Sequence, residues 1–200
     1  MKLHDVAVEQ QENTSVWLAF KNQVFIRLSI ASLVSGCFVS AHDTAATWLM
    51  NSLSASPFLL SLIATSASLP FFLFTLPAGA ISDLTNRRNL FIGIYLWLAA
   101  AAAGLLAVCS WLNLVHPSVI LATVLLLGIG FAFSAPVWAS IVPEIARKEE
   151  LASAITLGGV QMNLAGIVGP ALGGLLLPIV GPAMLFSLNA LAFLSVAMMN

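Results

Sequence analysis

Charge is what this 200-residue chain has least of: seven Lys and Arg, eight Asp and Glu, and a net charge of −1. So little charge of either sign excludes the basic footprint of a nucleic-acid binder and the composition of a charged disordered chain. Cysteine is scarce as well. Cys37 and Cys109 stand far apart without a CxxC spacing, which excludes a disulfide framework or zinc cluster and suits two small buried apolar side chains. The three histidines, at 4, 42 and 116, fall in separate segments, and no phosphate loop or nucleophile–base pairing is present. An enzyme reading therefore has no support, and neither a metal nor a cofactor is expected.

What fills the chain instead is apolar: 60% of residues are hydrophobic, and the mean hydropathy is +1.02. Crossing the hydrocarbon core of a bilayer takes about 20 residues of helix. The apolar runs predict six spans, at about 24–50, 58–81, 89–111, 119–142, 151–179 and 183–200. Residues 1–22 hold Lys2, Asp5, Glu9, Glu12 and Lys21 and read as a polar N-terminal segment, with no cleavable leader. Pro57 suits the first turn of the second span. All seven basic residues (Lys2, Lys21, Arg27, Arg87, Arg88, Arg147 and Lys148) then lie at one end of the bundle, and none lies in the 1–2, 3–4 or 5–6 turns. By the positive-inside rule that end is cytoplasmic, and the N-terminus with it.

One polar stretch between the second and third runs, Gly79-Ala-Ile-Ser-Asp83-Leu-Thr-Asn-Arg87-Arg88, holds the tightest cluster of ionisable groups between Arg27 and Glu144. It resembles the loop 2–3 signature of the major facilitator superfamily. Gly79, Asp83, Arg87 and Arg88 match, while Leu84 and Asn86 stand where Arg and Gly are usual. In the fifth span, Gly169-Pro170-Ala-Leu-Gly173-Gly174 is similar to the glycine-rich motif of facilitator-type exporters. With Pro143-Glu144, Arg147 and the run 187–194, the chain looks like the enterobactin-exporter-like branch, the transmembrane secretion effectors. Transporters of lysophospholipid lie in the same neighbourhood.

The resemblance implies an all-α membrane protein of six transmembrane helices, arranged as two inverted three-helix repeats. Residues 23–200 would form the N-terminal half of a secondary transporter in a bacterial inner membrane. It would export a small amphipathic molecule by alternating access, with a proton gradient as a candidate driving force. Its partners would be the small-molecule substrate, the bilayer and a second six-helix half or another copy of itself. Two other readings stay open: a non-transporting membrane scaffold, or the transport portion of a larger fusion such as a lysophospholipid transporter.

Gly79, Asp83, Arg87 and Arg88 are then candidates for a cytoplasmic gating latch, with Glu144 and Arg147 as partners from the 4–5 loop. A plain topology loop would need the arginines but neither Gly79 nor Asp83. Asp43 lies inside the first span, away from every other acid, where a charge is costly and faces a cavity or partner. It is either a proton or cation site or a wetted group near the outer end. His42 points about 100° away from it around the helix. Gln161 and Asn163, near mid-depth of the fifth span, are candidate substrate contacts or interhelical hydrogen-bonding groups, as is Asn189 in the sixth. Trp48, Trp97, Trp111 and Trp138 read as interfacial or packing aromatics.

Overall fold

Proline and asparagine set the helix ends. A computed structural model describes residues 23–53, 56–84, 88–145 and 151–199, leaving aside the side chains of 23–25, 28, 82–84, 88–89, 138–139, 141–145 and 199. The helices are α1 (Gln23–Leu53), α2 (Pro57–Leu84), α3 (Arg88–Trp111), α4 (Pro117–Ile145) and α5 (Leu151–Met199). No strand occurs among the described residues. Pro57 and Pro117 open their helices, where the missing N–H costs nothing. α3 closes on Asn113 at φ 55. Leu114 N–H donates to Cys109 O at 2.8 Å and Asn113 N–H to Ser110 O at 3.3 Å, a Schellman cap with Asn in the glycine position.

Four of the helices carry segments long and apolar enough to cross a membrane: Pro57–Ile81, Leu90–Trp111, Pro117–Val137 and Leu151–Met198. α1 is not among them, although its run 24–41 carries a single charge, Arg27. The last segment, at 48 residues, is twice the length one crossing needs. Gly181 explains it, with φ 77 and ψ 164 inside α5. Gly173 packs on Ala41, and the Phe186 ring lies 4.9 Å from that of His42, the next residue of α1. A straight helix would hold 173 and 186 about 20 Å apart. The run therefore folds back at Gly181 into a first arm, 151–180, and a second arm, 182–199.

Packing pairs helices that are distant in sequence. Gly36 faces Ala165, Gly169 faces Cys37 and Ser40, and Gly173 faces Ala41 and Thr44, so numbers rise together and α1 runs parallel to the first arm of α5. α2 runs parallel to α4 in the same way: Gly128 meets Ala67 and Pro70, Gly79 meets Pro136, and Phe71 stacks on Phe131 at 5.7 Å. Pro70 lacks the N–H that would have bonded the Ser66 carbonyl, and that carbonyl and its Ala67 neighbour are what Gly128 approaches. α3 runs antiparallel to α4 and to the second arm of α5. Tyr95 meets Gly130 and Phe193, and the Trp111 indole N–H donates to Ser187 Oγ at 3.2 Å.

Two apolar clusters fill the interior. One gathers Met50, Leu106, Ile120 and Phe186 at the end where α1 finishes. The other gathers Leu96, Ala99, Leu127 and Phe193 deeper along α3. Ser and Thr hydroxyls on outward faces donate to carbonyls one turn back, as Thr65 does to Ser61 O and Thr156 to Ala152 O. That satisfies each hydroxyl within its own helix.

The turn at Gly181 carries a prediction. Its backbone lies in a region that costs any other residue about 1–3 kcal/mol. Gly181→Ala should lower the thermal midpoint in detergent, while Gly159→Ala, where an added Cβ meets nothing within 4 Å, should not. Equal midpoints for the two variants would mean that the turn tolerates a side chain.

Candidate functional site

Polar residues recur along one side of α1 at helical spacing: Ser40, Asp43, Thr44, Thr47 and Asn51. They line a groove of about 590 Å³ with Trp48, Leu60 of α2 and Pro170 of the first arm of α5. Thr44 Oγ1 donates to Ser40 O at 2.9 Å, and Thr47 Oγ1 donates to Asp43 O at 2.8 Å. Their hydrogens are thereby used within the helix, and the lone pairs remain for the groove. Asp43 is exposed, and among the described residues no basic side chain lines the groove. Arg27, the nearest cation along α1, is about 24 Å away along the axis.

His42 turns the other way. It is fully buried, edge-on to Phe186, with interplanar angle 62°. Neither ring nitrogen has a hydrogen-bonding partner, and neither does the amide of Asn189. Asn189 is also buried, one turn beyond Phe186 on the second arm. The first helix thus presents a carboxylate to the groove and an imidazole to the interior seam.

The glycine motif divides. A Cβ at Gly169 would lie 2.5 Å from Ser40 Cβ and 2.8 Å from Cys37 O, and one at Gly173 would lie 3.0 Å from Ala41 O. At Gly174 it would meet nothing within 4 Å. Gly169 and Gly173 seat α1 against α5, Pro170 lines the groove, and Gly174 faces outward.

Gln161 is half-buried and Asn163 is exposed, with Asn163 Nδ2 donating to Gly159 O at 2.8 Å. From the pairing of Gly173 with Ala41 and Thr44, they lie about 18 and 15 Å below Asp43 along the axis. The fold does not gather these three residues at one point.

Of the loop 2–3 cluster, Gly79 packs on Pro136, 3.9 Å from an added Cβ, and Asp83 and Arg88 lie in the ends of α2 and α3. Phe74 and Phe91 both stack on Phe133, at 5.9 and 6.3 Å, which ties those two ends to α4. Arg87 and Arg147, and the side chains of Asp83, Arg88 and Glu144, lie outside the described residues. So does the 1–22 segment.

Reading the sequence one residue at a time singles out Asp43 and misses the groove around it. The available signal was the spacing of Ser40, Thr44, Thr47 and Asn51, polar residues one turn apart inside an apolar run. Trp48, read as an interfacial aromatic, is half-exposed and forms part of the wall.

No curated protein and no solved structure matches the chain. The profile of the transmembrane secretion effector family matches residues 14–199. With nearly its whole length covered, the chain belongs to the transmembrane secretion effectors of the major facilitator superfamily, and it is an integral membrane protein of transporter type.

Proposed function

We propose that the chain is a six-helix half of a secondary transporter that exports a small amphipathic molecule by alternating access. The observation that carries this reading is the Asp43 groove: a concave site part-way along α1, polar at its centre and apolar at its walls, in a chain of a transporter family. Transporter sites lie between helices near mid-membrane. A carboxylate that can hold either a proton or a ligand supports proton coupling.

Internal spacing supports two inverted three-helix repeats. The interval that would relate the two repeats is 94 residues. Gly36 and Gly130, Ser40 and Ser134, and Gly79 and Gly173 keep the same interval. Exchanging the repeats also exchanges the two parallel pairings, α1 with the first arm of α5 and α4 with α2. In this reading the N-terminus is cytoplasmic, in a bacterial inner membrane. Gly79, Asp83, Arg87 and Arg88, with Glu144 and Arg147, form the latch that closes that side. Phe72 and Leu76 on α2 and Ile167 and Ile179 on the first arm of α5 are largely exposed. Those faces suit a second six-helix half or another copy.

The test is efflux of a fluorescent amphipathic cation from cells expressing the chain, alone and with whatever its gene encodes downstream. Export is expected, with Asp83→Asn lowering it at unchanged membrane level. No export in either form, with Asp43, Gln161 and Asn163 replaceable without consequence, would favour the scaffold reading instead.

A further inference from the structure

Resting on the transport reading of the Asp43 groove, we infer that its ligands are amphipathic amines that keep at least one N–H, rather than anionic or quaternary molecules. The argument is an account of donors and acceptors. Among the described residues that line the groove, Asp43 is the charged one and none is basic. The nearest cation before it in sequence is Arg27, 16 residues away, and the nearest after it is Arg87, 44 residues away.

Thr44 and Thr47 flank it on the same stretch of α1. Because each hydroxyl hydrogen is committed to a backbone carbonyl one turn back, what each turns outward is an acceptor. Three acceptor groups at 43, 44 and 47 ask for a ligand with several hydrogens to give, and a protonated amine has them. A carboxylate or phosphate would meet Asp43 unopposed, with only the neutral donors of Ser40, Asn51 and the indole to offset the repulsion. A quaternary ammonium would gain the charge and the indole face of Trp48 but none of the hydrogen bonds. Leu60 and Pro170 supply the apolar wall for the hydrocarbon part, and the groove's volume of about 590 Å³ is ordinary for a small-ligand site.

The experiment is calorimetric binding to the full chain in phosphatidylcholine nanodiscs, with empty nanodiscs as blank. The probes are octylamine, its N,N,N-trimethyl counterpart and octanoate. Octylamine is expected to bind, the trimethyl compound about tenfold more weakly, and octanoate no better than to the blank. Asp43→Asn should weaken octylamine at least tenfold, with helix content unchanged by circular dichroism. Thr44→Val with Thr47→Val should bring octylamine down to the trimethyl level. Octanoate binding as tightly as octylamine, or Asp43→Asn leaving octylamine unaffected, would overturn the inference.

Equilibrium binding separates this result from the transport reading. Amine binding through Asp43 in a chain that exports nothing would leave the site standing and remove transport. Export insensitive to Asp43→Asn, with no amine binding, would do the reverse.

Discussion

Gly169→Ala is expected to unseat α1 from the first arm of α5, whereas Gly174→Ala, five residues on, leaves the bundle intact or tightens it. The two residues belong to one motif and differ only in what their hydrogens face. At 169 the added methyl would stand 2.5 Å from Ser40 Cβ, 2.8 Å from Cys37 O and 3.2 Å from Cys37 Cα. Two of those atoms are backbone, so no rotamer change relieves the overlap. The helices must separate, and with them the contacts of Gly36 with Ala165 and of Gly173 with Ala41. Overpacking of this kind costs about 1–3 kcal/mol, and backbone partners put this case at the upper end. For a chain of this size that is a fall in thermal midpoint of roughly 5–10 °C. Gly169→Leu should leave little assembled protein. At Gly174 nothing opposes the methyl, and Ala gains up to about 1 kcal/mol of helix preference over Gly. Thermal unfolding of the three variants in one detergent decides it; equal falls at 169 and 174 would make the motif a matter of helix flexibility rather than contact.

His42→Phe combined with Asn189→Leu is expected to make the protein more stable and less able to transport. Four side-chain polar atoms on these two residues are sealed from solvent without partners. Each such group costs about 1–3 kcal/mol when left unsatisfied. Phe and Leu have nearly the shapes of the residues they replace, and they add apolar surface beside Phe186, which already packs on His42. A gain of at least about 2 kcal/mol should result, or roughly 4–8 °C in midpoint. Residues retained at such a cost belong to a function rather than to the fold, so transport by the full assembly should fall while the midpoint rises. A lower midpoint in the double variant would mean that His42 and Asn189 satisfy each other in the working protein.

How far the sequence reached depends on which physical signal each feature leaves in it. Pro57, the 112–118 turn and the Val180–Pro182 break were legible because prolines, asparagine and glycine constrain the backbone locally. The far end of α4 was not. Hydropathy places the edge at Val142, but the helix continues through Pro143 and Glu144 to Ile145. Charge marks where a segment leaves the hydrocarbon and does not end a helix; α2 runs on through Asp83 to Leu84 for the same reason, and α1 runs through the uncharged Asn51 and Ser52 to Leu53. The α5 break proved tighter than a three-residue turn, because one glycine at positive φ reverses the chain. In the site, Asp43 was legible by its rarity. The two threonines and Trp48 were not, because what makes them a wall is Pro170, 122 positions further along the chain from Trp48. The glycine motif was legible as a pattern; which of its glycines touch anything depends on the rotation of α5, which no local pattern records.

The parallel seat of α1 on α5 also bears on how the protein is made. Gly36 meets Ala165, so α1 waits for about 130 more residues before its main partner exists. At synthesis rates of about 5–20 residues per second, that is on the order of ten seconds. Over that interval, and until Phe186 follows, His42 lacks the ring that lies edge-on to it in the finished fold. A pause in translation before Leu151 would lengthen that wait.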